Sequence, residues 1–179
     1  MIAVAVAAAA IALLAYGLSQ QGTSRALDQA LAAGHRPAAP EADRPLPVLE
    51  GVRSARAALA HWRGKVIVVN FWASWCDTCA AEAKVIEGAQ RFLSSSRAGT
   101  VVGIDYKDLI SGALGYIHQY GLTYPSLRDV DGSFASAYGT VALPETFVLD
   151  GSDQVVALMR NEITSESWLR HAIRKAERA

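Results

Sequence analysis

Lys65-Val-Ile-Val-Val-Asn-Phe71 is the segment that most narrows what this chain can become. Four consecutive β-branched residues favour an extended backbone, and no polar alternation leaves one face to water. Such a run predicts a strand buried on both faces, at the centre of a sheet with helices on each side. Soon after it the period changes. From Asp77 to about Leu93, apolar side chains fall at Val85, Ile86, Ala89, Phe92 and Leu93, the spacing of one helix face. The only two cysteines, Cys76 and Cys79, sit at this strand-to-helix junction. Residues three apart share a helix face, so their sulfurs can meet without backbone strain. At the helix start, Cys76 meets unpaired N–H groups and the positive end of the dipole, which favour a thiolate. Cys79, one turn further, is expected to be more buried. Two readings compete: an attacking Cys76 with a resolving Cys79, or half of a zinc site or a pair of inert thiols. Zinc would want a second ligand pair, and His35, His61, His118 and His171 are scattered. No metal is expected.

The rest of the chain supports a sheet with helices on both sides. Leu46 to Gly51 reads as a short edge strand closed by a turn, and Ser54 to Trp62 as a small helix ended by Gly64. Thr100–Tyr106 is a second buried strand, and Leu109–Tyr120 a helix stopped by Gly121. Asp129 to Gly132 is a turn, followed by a short helix over Ser133–Tyr138. Thr146–Asp150 and Gln154–Met159 form a hairpin. Thr164 or Ser165 caps a last helix whose apolar positions are Trp168, Leu169, Ala172, Ile173 and Ala176. This order predicts an α/β architecture with a mixed sheet. Composition agrees: 51% hydrophobic residues allow a full core. Seventeen basic and seventeen acidic residues balance to a net charge of zero, which excludes a general nucleic-acid binder.

Ahead of this domain, Ile2–Leu18 is uncharged and nearly all apolar. Seventeen helical residues would reach about 26 Å, the short end of what spans a bilayer. A single-pass anchor over 1–18 is the leading expectation, with a cleaved secretory signal and a buried core helix as alternatives. No Lys or Arg precedes the run, so loop charge does not set its orientation. Residues 19–45 read as an Ala- and Pro-rich linker, with room for a short helix over Ser24–Ala33, and 46–179 as the folded domain.

Val69-Asn-Phe-Trp-Ala-Ser-Trp-Cys-Asp-Thr-Cys79 resembles the active-site segment of the thioredoxin superfamily. Val102–Asp108, Tyr124–Gly132 and Leu143-Pro-Glu-Thr-Phe-Val-Leu-Asp150 are similar to the TlpA/ResA/CcmG (DsbE-like) branch. The resemblance implies a thioredoxin fold over Leu46–Ala179 and, at Leu143–Pro144, a cis bond whose loop faces the cysteines and offers backbone groups to a substrate chain. Taken without it, Pro144 is a trans proline opening a strand. The resemblance also supports Glu82 as proton carrier. Glu82 lies on the same helix face as Val85 and Ile86, where burial would raise its pKa; the competing reading is an exposed first-turn acid that complements the dipole. Thioredoxin itself places a buried aspartate at the position that Asn70, which cannot titrate, takes in this resembling chain. Trp72 and Trp75 flank the cysteines and shape their rim. Between the cysteines stand Asp77 and Thr78, the latter in place of the branch's more frequent proline. The charge of Asp77 disfavours a thiolate at Cys76 and so favours the reducing direction, unless it is a solvated side chain complementing the dipole.

The function the resemblance implies is reduction of protein disulfides outside the cytoplasm, with apocytochrome c thiols as the expected target. No cofactor is required. A membrane electron donor of the DsbD/CcdA type would restore the dithiol, and the protein would be a membrane-anchored monomer with its catalytic domain on the periplasmic or cell-surface side. Three rivals remain. One is oxidation of secreted thiols. Another is copper delivery, which would want a wider cysteine spacing and a histidine near Pro144. The third is a tethered, non-enzymatic binding module.

Overall fold

The computed structural model describes residues 25–50 and 55–179. The apolar run expected to be an anchor lies outside them. Among the described residues, no helix is long and apolar enough to cross a membrane.

The β-branched run forms β3 (Val66–Trp72), and all seven of its residues are buried. It is the middle strand of five. On one side β3 pairs in parallel with β4 (Gly99–Tyr106), which pairs in parallel with β5 (Ser126–Asp129). On the other side β6 (Glu145–Leu149) runs antiparallel to β3, and β7 (Val155–Met159) antiparallel to β6. The order is β5-β4-β3-β6-β7. The pleat divides β3 between two cores. Val66, Val68 and Trp72 point into one, with Ile86 and Leu93 of α2 (Asp77–Ser96), Tyr116 and Ile117 of α3 (Ile110–Tyr120), and Leu169 and Ile173 of α5 (Glu166–Ala176). Ile67, Val69 and Phe71 point into the other, where Phe71, Phe134, Tyr138 and Phe147 stack edge to face and tilted. Phe134 belongs to α4 (Ser133–Ala137), and Leu27 joins this core from α1 (Ala26–Ala32). This is the expected α/β architecture, a mixed sheet between two helical layers.

Helix boundaries follow local chemistry. Ser165 caps α5 by accepting the Ser167 N–H at 3.2 Å. Gly121 ends α3 in the left-handed conformation, φ 61°, which a glycine adopts without a Cβ clash.

Two expectations need correction. Of the helix expected over Ser54–Trp62, the described residues 55–62 do not form one. Arg56–Ala57 is instead β2, antiparallel to β1 (Leu46–Pro47), and only Leu59–Trp62 coils, as one 3₁₀ turn. That stretch has just Leu59 and Trp62 as large apolar residues, too few for a helical stripe, so main-chain pairing and burial of Leu59 decide its shape. The segment read as linker is also packed where it is described. Helix α1 lies against β7, and Leu27, Ala39 and Ala42 are buried. Val155 N–H donates to Pro37 O at 2.8 Å, and Ala39 N–H to Asp153 O at 2.7 Å. Further along, Val48 bridges to Leu127, and Leu49 N–H donates to Ser126 O at 2.8 Å. Proline keeps a chain extended, and an extended chain can lie along a strand as readily as in water.

Candidate active site

The strands β3 and β4 run in parallel and deliver their C-terminal ends to one edge of the domain. There the chain turns from Trp72 into α2. Asp108, just past β4, braces this turn: it accepts the Ser74 N–H at 2.5 Å and the Ser74 hydroxyl at 3.0 Å. Cys76 is then the N-cap of α2, with extended backbone, and its Sγ accepts the Cys79 N–H at 3.1 Å. The two cysteines are joined as a disulfide, with Cα atoms 5.3 Å apart. Cys76 is 8% exposed and Cys79 1%, the order expected for a helix-start sulfur and one a turn inside.

Leu143 and Pro144 face this pair. Their peptide bond is cis, and the Thr78 hydroxyl links the loop to the motif. Thr78 Oγ1 donates to Leu143 O at 3.3 Å and lies 3.4 Å from Cys76 Sγ. Asp77, the first residue of α2, is exposed and turned to solvent. Trp75 is 59% exposed and leans toward Tyr106, ring centroids 6.5 Å apart. These two rings and the Thr140–Leu143 loop enclose a cavity of about 230 Å³ beside the disulfide. Larger hollows on the α5 and Arg44 sides include none of these residues.

Glu82 lies on the inner face of α2, one turn beyond Cys79, and is 2% exposed. That removes the reading of an exposed first-turn acid. Its Oε1 accepts from Asn70 Nδ2 at 2.8 Å and its Oε2 from the Ile163 N–H at 2.7 Å. Asn70 Nδ2 also donates to Thr146 Oγ1 at 3.1 Å, so β6 fixes the amide that holds the carboxylate. Burial pushes Glu82 up to about 7; the bonds from Ile163 and Asn70 work in the opposite direction. Asn70 cannot titrate itself, and it orients the group that does.

Other polar groups of this edge escaped sequence reasoning. Asp105, fully buried at the end of β4, is pushed up to about 7 by burial and then by the charge of Asp108; Arg128 at 3.2 Å pulls it down. Glu145, next to Pro144, is buried and ion-paired with Arg160. A charge inside an otherwise apolar strand was the available signal for Glu145. None existed for Arg160, because its partners lie far away in sequence.

Residues 39–173 match the Redoxin family model. Among curated relatives, the thiol:disulfide interchange protein DsbE of Pasteurella multocida is 33% identical over 107 residues, 59% of this chain and 56% of the relative. The thiol-disulfide oxidoreductase ResA of Bacillus subtilis is 26% identical over 135 residues, 75% of each chain. The chain spans 56% of the length of the Pasteurella relative and 61% of a DsbE homolog from Paracoccus denitrificans. Among solved structures, a secreted thiol-disulfide isomerase from Corynebacterium glutamicum superposes with a TM-score of 0.68 at 26% identity, covering 80% of this chain and 86% of that one. A DsbF homologue from Corynebacterium diphtheriae gives 0.67 at 28%, covering 79% and 87%. The family match begins at Ala39, inside the packed N-terminal segment, takes in all five strands of the main sheet and ends at Ile173 in the last helix: the chain belongs to the Redoxin family.

Proposed function

We propose that this protein is an extracytoplasmic thiol:disulfide oxidoreductase that reduces protein disulfides, with apocytochrome c as its substrate class. One observation carries the reading: Cys76 caps α2 with its sulfur on a backbone N–H, facing the Leu143–Pro144 loop. The relatives named DsbE and ResA support thiol:disulfide exchange as the reaction class.

In the dithiol form, Cys76 is the thiolate that attacks one sulfur of a substrate disulfide. A Cys76–substrate disulfide forms and the other substrate sulfur leaves as a thiolate. Cys79 then attacks the Cys76 sulfur, closing the internal disulfide and releasing the second substrate thiol. Two electrons pass to the substrate. Glu82 receives the proton Cys79 must lose; a carboxylate poised near 7 can hold a proton and give it back. Thr78 serves both ends of the reaction. In the disulfide its hydrogen goes to Leu143 O. With a thiolate at Cys76 it can turn to the sulfur, freeing Leu143 O for an incoming extended chain. The wall of Trp75 and Tyr106 receives an apolar side chain of that substrate. A membrane donor of the DsbD/CcdA type returns the electrons, and residues 1–18 tether the domain beside it.

The deciding experiment pairs two measurements on the full chain. The Cys76–Cys79 potential should lie at or below about −200 mV, on the reducing side. An oxidised peptide bearing the C-x-x-C-H haem-attachment motif should be reduced stoichiometrically, and Cys76→Ser should abolish this. A potential near about −120 mV would make the protein an oxidant instead. Undiminished peptide capture and full biological activity in Cys76→Ser would make it a binding module.

A further inference from the structure

The loop that faces the cysteines is held from behind by one guanidinium. Arg160 follows β7, and its Nη1 reaches both ends of the Tyr138–Glu145 segment. It donates to Tyr138 O at 3.3 Å and to Gly139 O at 3.2 Å at the start, and to the Glu145 carboxylate at the finish. The other oxygen of Glu145 accepts the Val141 N–H at 3.4 Å. Everything between, Thr140 to Leu143, forms the wall of the 230 Å³ cavity. The other side of the fork is shared between the loop, where Nη2 also donates to Tyr138 O at 3.3 Å, and a different part of the chain. Arg160 Nη2 donates to Asp28 Oδ2 at 2.6 Å and Nε to Asp28 Oδ1 at 3.4 Å, and Asp28 lies on α1. The guanidinium carbon also sits 5.1 Å from the centroid of the Phe147 ring.

A guanidinium is planar, and two bonds to one carboxylate fix its plane. Asp28 supplies that pair of bonds. Without it, Arg160 could turn about its side chain and loosen its grip on the Tyr138 and Gly139 carbonyls. The cysteines themselves are held by other means, α2 and the Asp108–Ser74 brace.

We infer that Asp28 and Arg160 are positioning residues, through which the N-terminal helix sets the shape of the substrate loop at Leu143–Pro144. The segment ahead of the main sheet is therefore part of the recognition apparatus as well as a connection. The inference rests on the disulfide-exchange reading proposed above, and it separates substrate affinity from sulfur chemistry. A chain that pairs with the loop backbone depends on the clamp; a small disulfide that meets only Cys76 does not.

Asp28→Ala tests this in the full chain, since alanine favours the helix and Asp28 is partly exposed. The KM for the oxidised peptide should rise about threefold to fivefold, the worth of an ion pair at this exposure. The kcat and the rate with a small aromatic disulfide should stay at parent values. Asp28→Glu should restore most of the loss. Amide hydrogen exchange should quicken over residues 138–145 and nowhere in α2. Unchanged KM together with unchanged exchange in 138–145 would overturn the inference. So would exchange that rises uniformly across the domain, the sign of a merely structural clamp. Should the parent protein itself fail to reduce the peptide, the proposed function falls, and the exchange comparison still decides the role of Asp28.

Discussion

Replacing Glu82 with Gln isolates the cost of keeping a carboxylate inside this domain. Burial moves the group from its ordinary 4.5 to about 7, although Ile163 and Asn70 donate to it. Between those two values the folded protein holds a proton that the unfolded chain has released. Stability must therefore fall as pH rises through that window, and the loss is complete above about 7. Its size is roughly 3 kcal/mol, from 1.36 kcal/mol for each tenfold change in proton affinity. Gln has the same shape and no charge. Its oxygen can accept the Ile163 N–H, and its amide can donate to a turned Asn70 whose oxygen then accepts the Thr146 hydroxyl. The stability gap between Glu82→Gln and the parent should be small at pH 5 and should open by about 3 kcal/mol by pH 8. With a urea slope of about 2 kcal/mol per M, the midpoints should separate by about 1.5 M. Urea titrations of the oxidised proteins, in which the cysteines do not titrate, measure this at four pH values. A gap that stays constant with pH would refute the burial argument. In the reduced protein, a pH–rate profile for peptide reduction that overlays the parent would end the proton-carrier role of Glu82.

Three further outcomes are expected. Alkylation of the reduced protein at neutral pH should label Cys76 well before Cys79, read by peptide mass mapping; the reverse order would exchange their roles. Thr78→Val removes the hydroxyl shared by Cys76 and Leu143, so Cys76 alkylation should slow about fivefold, the equivalent of about 1 kcal/mol for one lost hydrogen bond. An unchanged rate would leave Thr78 as a spacer. A Cβ at Gly103 would stand 2.6 Å from both Trp72 Nε1 and Ser126 Oγ, so Gly103→Ala should destabilise the domain by about 1–3 kcal/mol in urea. A midpoint at the parent value would mean that Trp72 moves aside freely.

The parts of this molecule written in local pattern were legible in its sequence. Four β-branched residues in a row announced β3, and the helix period after Cys76 announced α2, which runs three residues past the expected Leu93. Cys76, Thr78 and Leu143 lie together at one edge, and Glu82 is buried on the helix face it shares with Ile86. What stayed hidden depends on contacts between distant positions. Asp28 and Arg160 are 132 residues apart, and nothing near either one marks the other. Asn70 read as a residue that merely fails to titrate, and its bond to Glu82 appears only when α2 is laid on β3. Proline and alanine between residues 37 and 45 look alike whether the chain is solvated or docked; the difference lies in β7 and the Asp153 turn, which await them.

That docking has a consequence for how the protein meets its neighbours. The outer strands of a sheet are templates for foreign chains and for lateral growth into aggregates. Here Pro37 and Ala39 occupy the start of β7 beneath α1, and Val48 and Leu49 occupy β5. One continuous stretch of the protein's own chain thus blunts both flanks against self-association. Under the proposed function, a client polypeptide is then admitted at the loop beside Cys76 rather than along these covered stretches of the sheet.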